Sequence, residues 1–325
     1  MWRACNSPSN QRCSLRFASL GYDALRYAGL TILARWLRSE GVVLCYHNVV
    51  AQAGGGAATL GLHIPFATFE RQVRWLAKHY TVVSLEEFVN RLRLGASLRR
   101  VAAITFDDGY TGVFRWAWPL LRHLGIPATV FLVADAHDSG RGGAREQGFW
   151  WDDEDVLRVY SPATERRWLT AFKGDRVAIV SAVARARARP PRQVPAWCQP
   201  ATWETIAAAA RAGLGIGAHS ATHRSLPTLP DAELHRELVE SRAVIRQQCG
   251  VDPVFFAYPY GLWDERIRHA VQAAGYRAAF ALAADQRTRP GRRDAWTLPR
   301  LSVPAGIRDA AFQAWTAGLS PRRRA

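Results

Sequence analysis

The run Ala128-Thr129-Val130-Phe131-Leu132-Val133-Ala134 decides the fold class. It is apolar at almost every position. A strand with one wet face would alternate, so this one reads as part of a parallel sheet covered on both sides. Gly125-Ile126-Pro127 ends a helix just before it. Outward from this run, similar short apolar stretches lie at 42–47, 81–83, 101–106, 214–219, 254–258, 277–282 and 298–303. Helix patterns fall between them. Thr68 is placed to cap a helix carrying Phe69, Val73 and Leu76, and Ser84 with Glu87 forms a capping box for a helix carrying Leu85, Phe88 and Leu92. Others cover 201–213, 231–248 and 263–274, the middle one with Leu234, Leu238 and Ile245 on one stripe and Gly250 beyond its end. Strand and helix alternating in this way indicate an α/β fold of βαβ units. The strand count of seven or eight fits a barrel better than a small open sheet, although the pattern accommodates both.

Three regions stand apart from that alternation. Residues 1–40 form an N-terminal segment in which 15–38 reads as a helix, with Leu20, Leu25, Leu30, Leu33 and Leu37 interrupted by Asp23, Arg26 and Arg35. The interruptions and the lack of a small-residue cleavage site argue against a secretory leader. The favoured reading is a helix packed on the domain, and the alternative is an Arg-rich helix lying on a membrane surface. Residues 41–305 hold the barrel, with a loop at Gly54-Gly55-Gly56 and an insertion of about 136–200 that reads as a helical lid. Residues 306–325 form a C-terminal helix and basic tail.

The apolar fraction of 49% and 13 Trp supply a real core, which excludes global disorder. The net charge of +16 comes almost entirely from Arg. It suits an anionic lipid, an acidic glycan or nucleic acid in principle. The arginines are dispersed and no nucleic-acid-binding motif is present, so no nucleic-acid partner is expected. Cys5, Cys13, Cys45, Cys198 and Cys249 are odd in number and lack CxxC spacing, which argues against a disulfide framework and for free thiols. Together with the missing leader they point to the cytoplasm, with peripheral membrane contact as an option.

Three clusters sit where α/β folds place their chemistry, at strand C-termini. Thr105-Phe106-Asp107-Asp108-Gly109 runs an apolar strand into two adjacent carboxylates, one of which can meet a metal while the other faces a substrate. His219-Ser220-Ala221-Thr222-His223 offers two imidazoles, four apart, that can reach one metal from a helical turn. Tyr258-Pro259-Tyr260-Gly261 is a strand-end turn able to aim a backbone N–H at a developing oxyanion. One Asp and two His leave open positions for water and substrate, and the second Asp is then a ready base.

These clusters, in this order, resemble the polysaccharide deacetylase family, whose shared unit is the chitooligosaccharide deacetylase homology domain (carbohydrate esterase family 4-like), over about residues 40–305. The resemblance implies a distorted (β/α) barrel of seven or eight strands. It implies Asp107 as catalytic base, and Asp108, His219 and His223 as ligands of one divalent metal, zinc above others. The Tyr260 N–H, in the turn that Pro259 begins, helps hold the oxyanion. Two departures stand out. Ala257 occupies the third motif's usual Arg position, and Arg300 in Leu298-Pro299-Arg300 is the residue placed to supply that charge from another strand. No His follows His269, and His47, at the end of the first barrel strand, is expected to protonate the leaving amine. Trp151 and Trp263 are the candidates to stack on sugar rings. The expected reaction is metal-dependent hydrolysis of an N-acetyl group on an amino sugar, releasing acetate. The substrate is an N-acetylated glycan, or, for a cytoplasmic enzyme, a lipid- or nucleotide-linked sugar. Hydrolysis of another non-peptide C–N amide and an inactive glycan-binding relative are the alternatives.

Overall fold

The computed structural model describes residues 22, 29–52, 60–137, 148–188, 190 and 194–282, together with 294–319. Ten strands are present among them: β1 Val42–Tyr46, β2 Asn48–Val50, β3 His63–Pro65, β4 Thr81–Val82, β5 Val101–Phe106, β6 Thr129–Leu132, β7 Gly215–Ala218, β8 Phe255–Ala257, β9 Ala278–Leu282 and β10 Leu298–Ser302. Seven of them close into a wholly parallel barrel. The order runs β1, β10, β9, β8, β7, β6, β5, and β5 pairs back to β1 from Val42↔Ala102 to Tyr46↔Phe106. β4 lies outside the ring, on the first residues of the β5 edge whose last residues meet β6. β2 and β3 form a separate parallel pair. The distorted barrel expected from the sequence is therefore the architecture observed.

Strands such as β1, β5, β6 and β8 are buried on both faces, which is why they read as continuous apolar runs, whereas β10 leaves Pro299 and Ser302 exposed. Val43, Ala103, Phe131, Ala257, Phe280 and Leu298 share one cluster inside the ring. Phe88 and Val89, from the helix Leu85–Leu94, join that cluster and floor it at the strands' N-terminal ends. The alternate residues, among them Leu44, Ile104, Val130 and Phe256, belong to a second cluster shared with the surrounding helices.

Several local expectations are corrected. The helix that Thr68 was placed to cap begins three residues earlier, at Phe66 behind Pro65, while Phe69, Val73 and Leu76 are fully buried as the spacing requires. Only half of the capping box at Ser84 forms, its hydroxyl accepting from the Glu87 N–H. The 231–248 pattern is helical to Cys249, with a π-turn at Arg236–Glu240.

Among its described residues the insertion carries three α-helices, Glu154–Arg158, Pro162–Thr170 and Arg176–Arg187. They are capped respectively by Asp153, by a reciprocal Ser161–Thr164 box, and by Asp175. Phe149, Trp150, Trp168 and Ile179 bury into the same cluster as the outer barrel face, so the insertion is part of the core. Of the expected N-terminal helix, Leu30–Leu37 is described together with Tyr22, whose hydroxyl accepts from the Trp315 indole N–H at 3.0 Å. The Gly54-Gly55-Gly56 loop, the arginines at 287, 289, 292 and 293 and the basic 320–325 tail fall outside the described residues. Among the described residues, no helix is long and apolar enough to cross a membrane.

Candidate active site

The two adjacent carboxylates are sent apart by the backbone. Asp108 takes a left-handed conformation, φ +70°, which short Asp side chains tolerate, and Gly109 follows at φ +69°. Asp107 continues the inward register of β5, while Asp108 is turned toward the end of β7. The turn is fixed from both sides: the Asp107 N–H donates to the Tyr46 carbonyl, and Gly109 accepts from Ala201 N–H at the far end of the insertion.

Asp107 lies in a guanidinium fork. Arg300, fully buried on β10, donates to its two oxygens at 2.6 and 2.7 Å and to Thr105 Oγ1 at 3.2 Å. Its guanidinium also sits 5.1 Å from the centre of the Phe131 ring. Burial alone would raise the Asp107 carboxyl, but the Arg300 charge and hydrogen bonds overcome it and hold it well below the usual carboxylate range. Ala257, the small residue where a third-motif Arg is usual, contributes its carbonyl oxygen, which accepts from His219 Nδ1–H at 2.7 Å.

That hydrogen bond fixes the His219 tautomer and leaves its Nε2 lone pair facing the site. His219 Nε2 and His223 Nε2 lie 3.1 Å apart, and Asp108 Oδ1 is 3.7 and 3.5 Å from them. Asp108 Oδ1 is buried with no hydrogen-bond partner. Burial, followed by the Asp107 and Asp152 charges, pushes the Asp108 carboxyl well above its ordinary range, and burial pushes both imidazoles down. Three electron-rich atoms converging on one point call for a cation. Tetrahedral zinc with bonds of about 2.0–2.1 Å would space its ligands by about 3.3–3.4 Å, close to the three separations here.

Two other groupings of candidate ligands are less suited. Cys45, His47 and Asp107 bring ligand atoms within 4.8 Å of one another, but both Asp107 oxygens are held by Arg300. His63, Asp152 and Cys198 also gather. There Asn48 Nδ2 donates to the Trp197 carbonyl at 2.7 Å and to His63 Nδ1 at 3.0 Å. His63 Nε2–H must then be the donor to Asp152, at 2.9 Å, so both ring nitrogens are already engaged.

The 219–223 segment is not the helical turn expected from the spacing. Ser220 and His223 both have positive φ, 68° and 59°, in an irregular loop. Glu237, fully buried in the π-turn, braces it by accepting from the Ala221 and Thr222 N–H groups and the Thr222 hydroxyl. This residue was missed in the sequence, where it is one more acid in a charged helix.

His47 follows β1 and is half-buried, with a ring nitrogen within 4.8 Å of a carboxylate oxygen of Asp107. Burial pushes its pKa down to about 4, against the opposing pull of Asp107. Pro259 opens the turn in which Tyr260 adopts φ +58°. The Tyr260 ring stands edge-on to His223 at 4.5 Å, and its hydroxyl accepts from Trp150 Nε1–H. Trp151 is buried, stacked flat on Phe149 and edge-on to His223 at 4.7 Å. It therefore walls the metal-ligand cluster and presents no open face. Its indole N–H donates to Tyr110, whose hydroxyl donates to Asp152, two further residues that the sequence reading passed over. Trp263 is partly buried and packs beside Tyr258.

The model of the polysaccharide deacetylase family matches residues 95–279. The protein YxkH of Bacillus subtilis (strain 168), named as a polysaccharide deacetylase, is 21% identical over 290 residues, 86% of this chain and 78% of its own. A poly-β-1,6-N-acetyl-D-glucosamine N-deacetylase of Staphylococcus aureus (strain MSSA476) is 35% identical over 66 residues, 20% of this chain and 23% of its own. Among solved structures, IcaB from Ammonifex degensii superposes with a TM-score of 0.57 at 20% identity, covering 86% of this chain and 98% of that one. The Streptococcus pyogenes deacetylase PplD, in complex with acetate, superposes at 0.56 with 14% identity, covering 82% and 94%. With the family's model matched over more than half its length and the family's barrel in its fold, the chain belongs to the polysaccharide deacetylases, carbohydrate deacetylases that are hydrolases of non-peptide carbon–nitrogen bonds.

Proposed function

We propose that the protein hydrolyses the N-acetyl group of an amino sugar within a glycan, with Asp107 as the base and Asp108, His219 and His223 holding one divalent metal, zinc above others. The observation that carries this reading is the division of labour between the two adjacent carboxylates. One is locked ionised by Arg300, and the other is left unpartnered against two imidazole nitrogens. The local likeness to the Staphylococcus aureus enzyme favours N-acetylglucosamine as the sugar.

A metal held there supplies Lewis acidity toward the acetamido carbonyl and toward water. Asp107, anionic at neutral pH, takes the proton of the attacking water. The Tyr260 backbone N–H stabilises the charge that develops on the carbonyl oxygen. His47 rests as a neutral imidazole. The anionic tetrahedral species formed beside it raises its proton affinity, so it takes up a proton from solvent and passes it to the departing nitrogen as the C–N bond breaks, and Asp107 returns the proton it took to solvent. The products are acetate and a free amine.

The test is acetate release from N-acetylglucosamine oligomers, with and without chelator and added zinc, beside Asp107→Asn. Release that needs metal and disappears in the variant is the expected result. No release with metal still bound through His219 and His223 would shift the reading to another amide substrate. Absence of both release and metal would leave a non-catalytic glycan binder.

A further inference from the structure

The helix Leu30–Leu37 is turned inside out. Its polar residues, Thr31 and Arg35, are the buried ones, with the Arg35 guanidinium 5.5 Å from the Trp75 ring. Leu30, Ile32, Leu33, Trp36 and Leu37 face outward, Leu33 at 54% and Leu37 at 71% exposed. At 100° per residue these five fill one continuous arc free of charge. A soluble surface helix has the opposite arrangement, and a contiguous apolar face of this kind marks an interaction surface.

The rim of the arc is cationic. Arg100 lies over the Trp36 ring at 4.5 Å and Arg99 at 5.8 Å, and Arg99 Nε donates to the Trp36 carbonyl. Arg93 is exposed nearby in sequence, next to Leu94, which is 85% exposed. Glu40 is the acid beside the helix end. The preceding sequence adds Arg3, Arg12, Arg16 and Arg26 against Asp23. Apolar side chains with Trp at their edge and arginines around them match a bilayer interface with anionic headgroups. A second copy of this chain fits less well, because a two-fold contact through this face would set the same arginines against themselves.

We propose that this helix seats the protein on an anionic membrane surface, with the barrel's floor toward the lipid. Leu37 lies only a few residues ahead of β1, and Trp36 is bonded to Arg99 just before β5, so the helix sits at the strands' N-terminal ends. The metal-ligand cluster lies past their C-terminal ends. A strand of five or six residues separates the two by about 20 Å. The site therefore opens away from the bilayer, and the glycan it takes is one that projects from the surface, not a sugar lying at the headgroups.

The test is flotation of the full chain with phosphatidylcholine vesicles, and with vesicles that also contain phosphatidylglycerol. Leu33→Asp/Leu37→Asp and Arg99→Glu/Arg100→Glu are run beside the parent, with melting curves and oligomer deacetylation as controls. Retention on the anionic vesicles alone, falling on the order of tenfold or more in both variants while acetate release from soluble oligomers is unchanged, is expected. Three results would overturn the proposal: no retention, retention unaffected by Leu33→Asp/Leu37→Asp, or a lipid-free dimer that those changes split into monomers. Because deacetylation is read separately, failure here leaves the catalytic reading standing.

Discussion

Arg300 tunes Asp107 through a fork that no other side chain makes among the described residues. Arg300→Met removes the counter-charge, and burial then pushes the Asp107 carboxyl up. The acid limb of the kcat/KM profile should move to higher pH, with activity at neutral pH down about 10²-fold. Breaking the buried pair should also cost about 3 kcal/mol of stability. Arg300→Lys restores the charge but not the fork, and should recover part of the profile. An unmoved acid limb in Arg300→Met would refute the tuning. His47→Gln should lower kcat by about 10²- to 10³-fold with zinc content unchanged, which turnover and metal analysis together would show. The same imidazole gives a stability signature. Its folded pKa of about 4 lies below the unfolded value near 6.5, so the unfolded chain binds the proton first as pH falls. The metal-free fold therefore loses stability between about pH 6.5 and 4, and urea midpoints for His47→Gln should show a shallower slope over that window.

At the scale of elements, two π-turns serve the site. Arg236–Glu240 carries Glu237 to the histidine loop, and Glu237→Ala should weaken zinc binding about 10- to 100-fold in a metal titration, with Glu237→Gln milder because it keeps an acceptor. Val113–Ala117 follows the Asp107–Gly109 turn. Gly112, just ahead of it, passes so close to β2 that a Cβ would lie 2.0 Å from the Val49 carbonyl oxygen. Gly112→Ala should destabilise by about 2 kcal/mol or more, read as a shift in denaturant midpoint at unchanged slope. These features mark where sequence reading stops. Strand runs such as 101–106 and 128–134 were legible because burial on both faces leaves them uniformly apolar. The three motifs were legible because they are local. Glu237 was not, since its partners lie 13 to 16 residues away and a helical period says nothing about a π-turn. The 219–223 spacing suggested a helical turn because side-chain separation alone does not carry the sign of φ. Trp151 looked like a sugar platform, but an indole in a sequence does not reveal that Phe149 already covers its face.

For the whole molecule, metal and fold are linked. If Asp108, His219 and His223 bind zinc only when the barrel gathers them, metal at a hundred times its Kd stabilises the native state by about 2.7 kcal/mol. Chelator should therefore lower the melting temperature reversibly, and an Asp108→Asn protein should melt at the chelated value with or without zinc. Arg300 adds a consequence in time. It sits on β10, the last strand made, which lies between β9 and the first strand, β1. A nascent chain that has emerged only as far as β9 already carries every recognisable motif, yet Asp107 has no counter-ion. Synthesis proceeds from the N-terminus, so the two motifs that gather Asp108, His219 and His223 are made before the residue that grips Asp107, and the Arg300 fork closes only when β10 docks between β9 and β1.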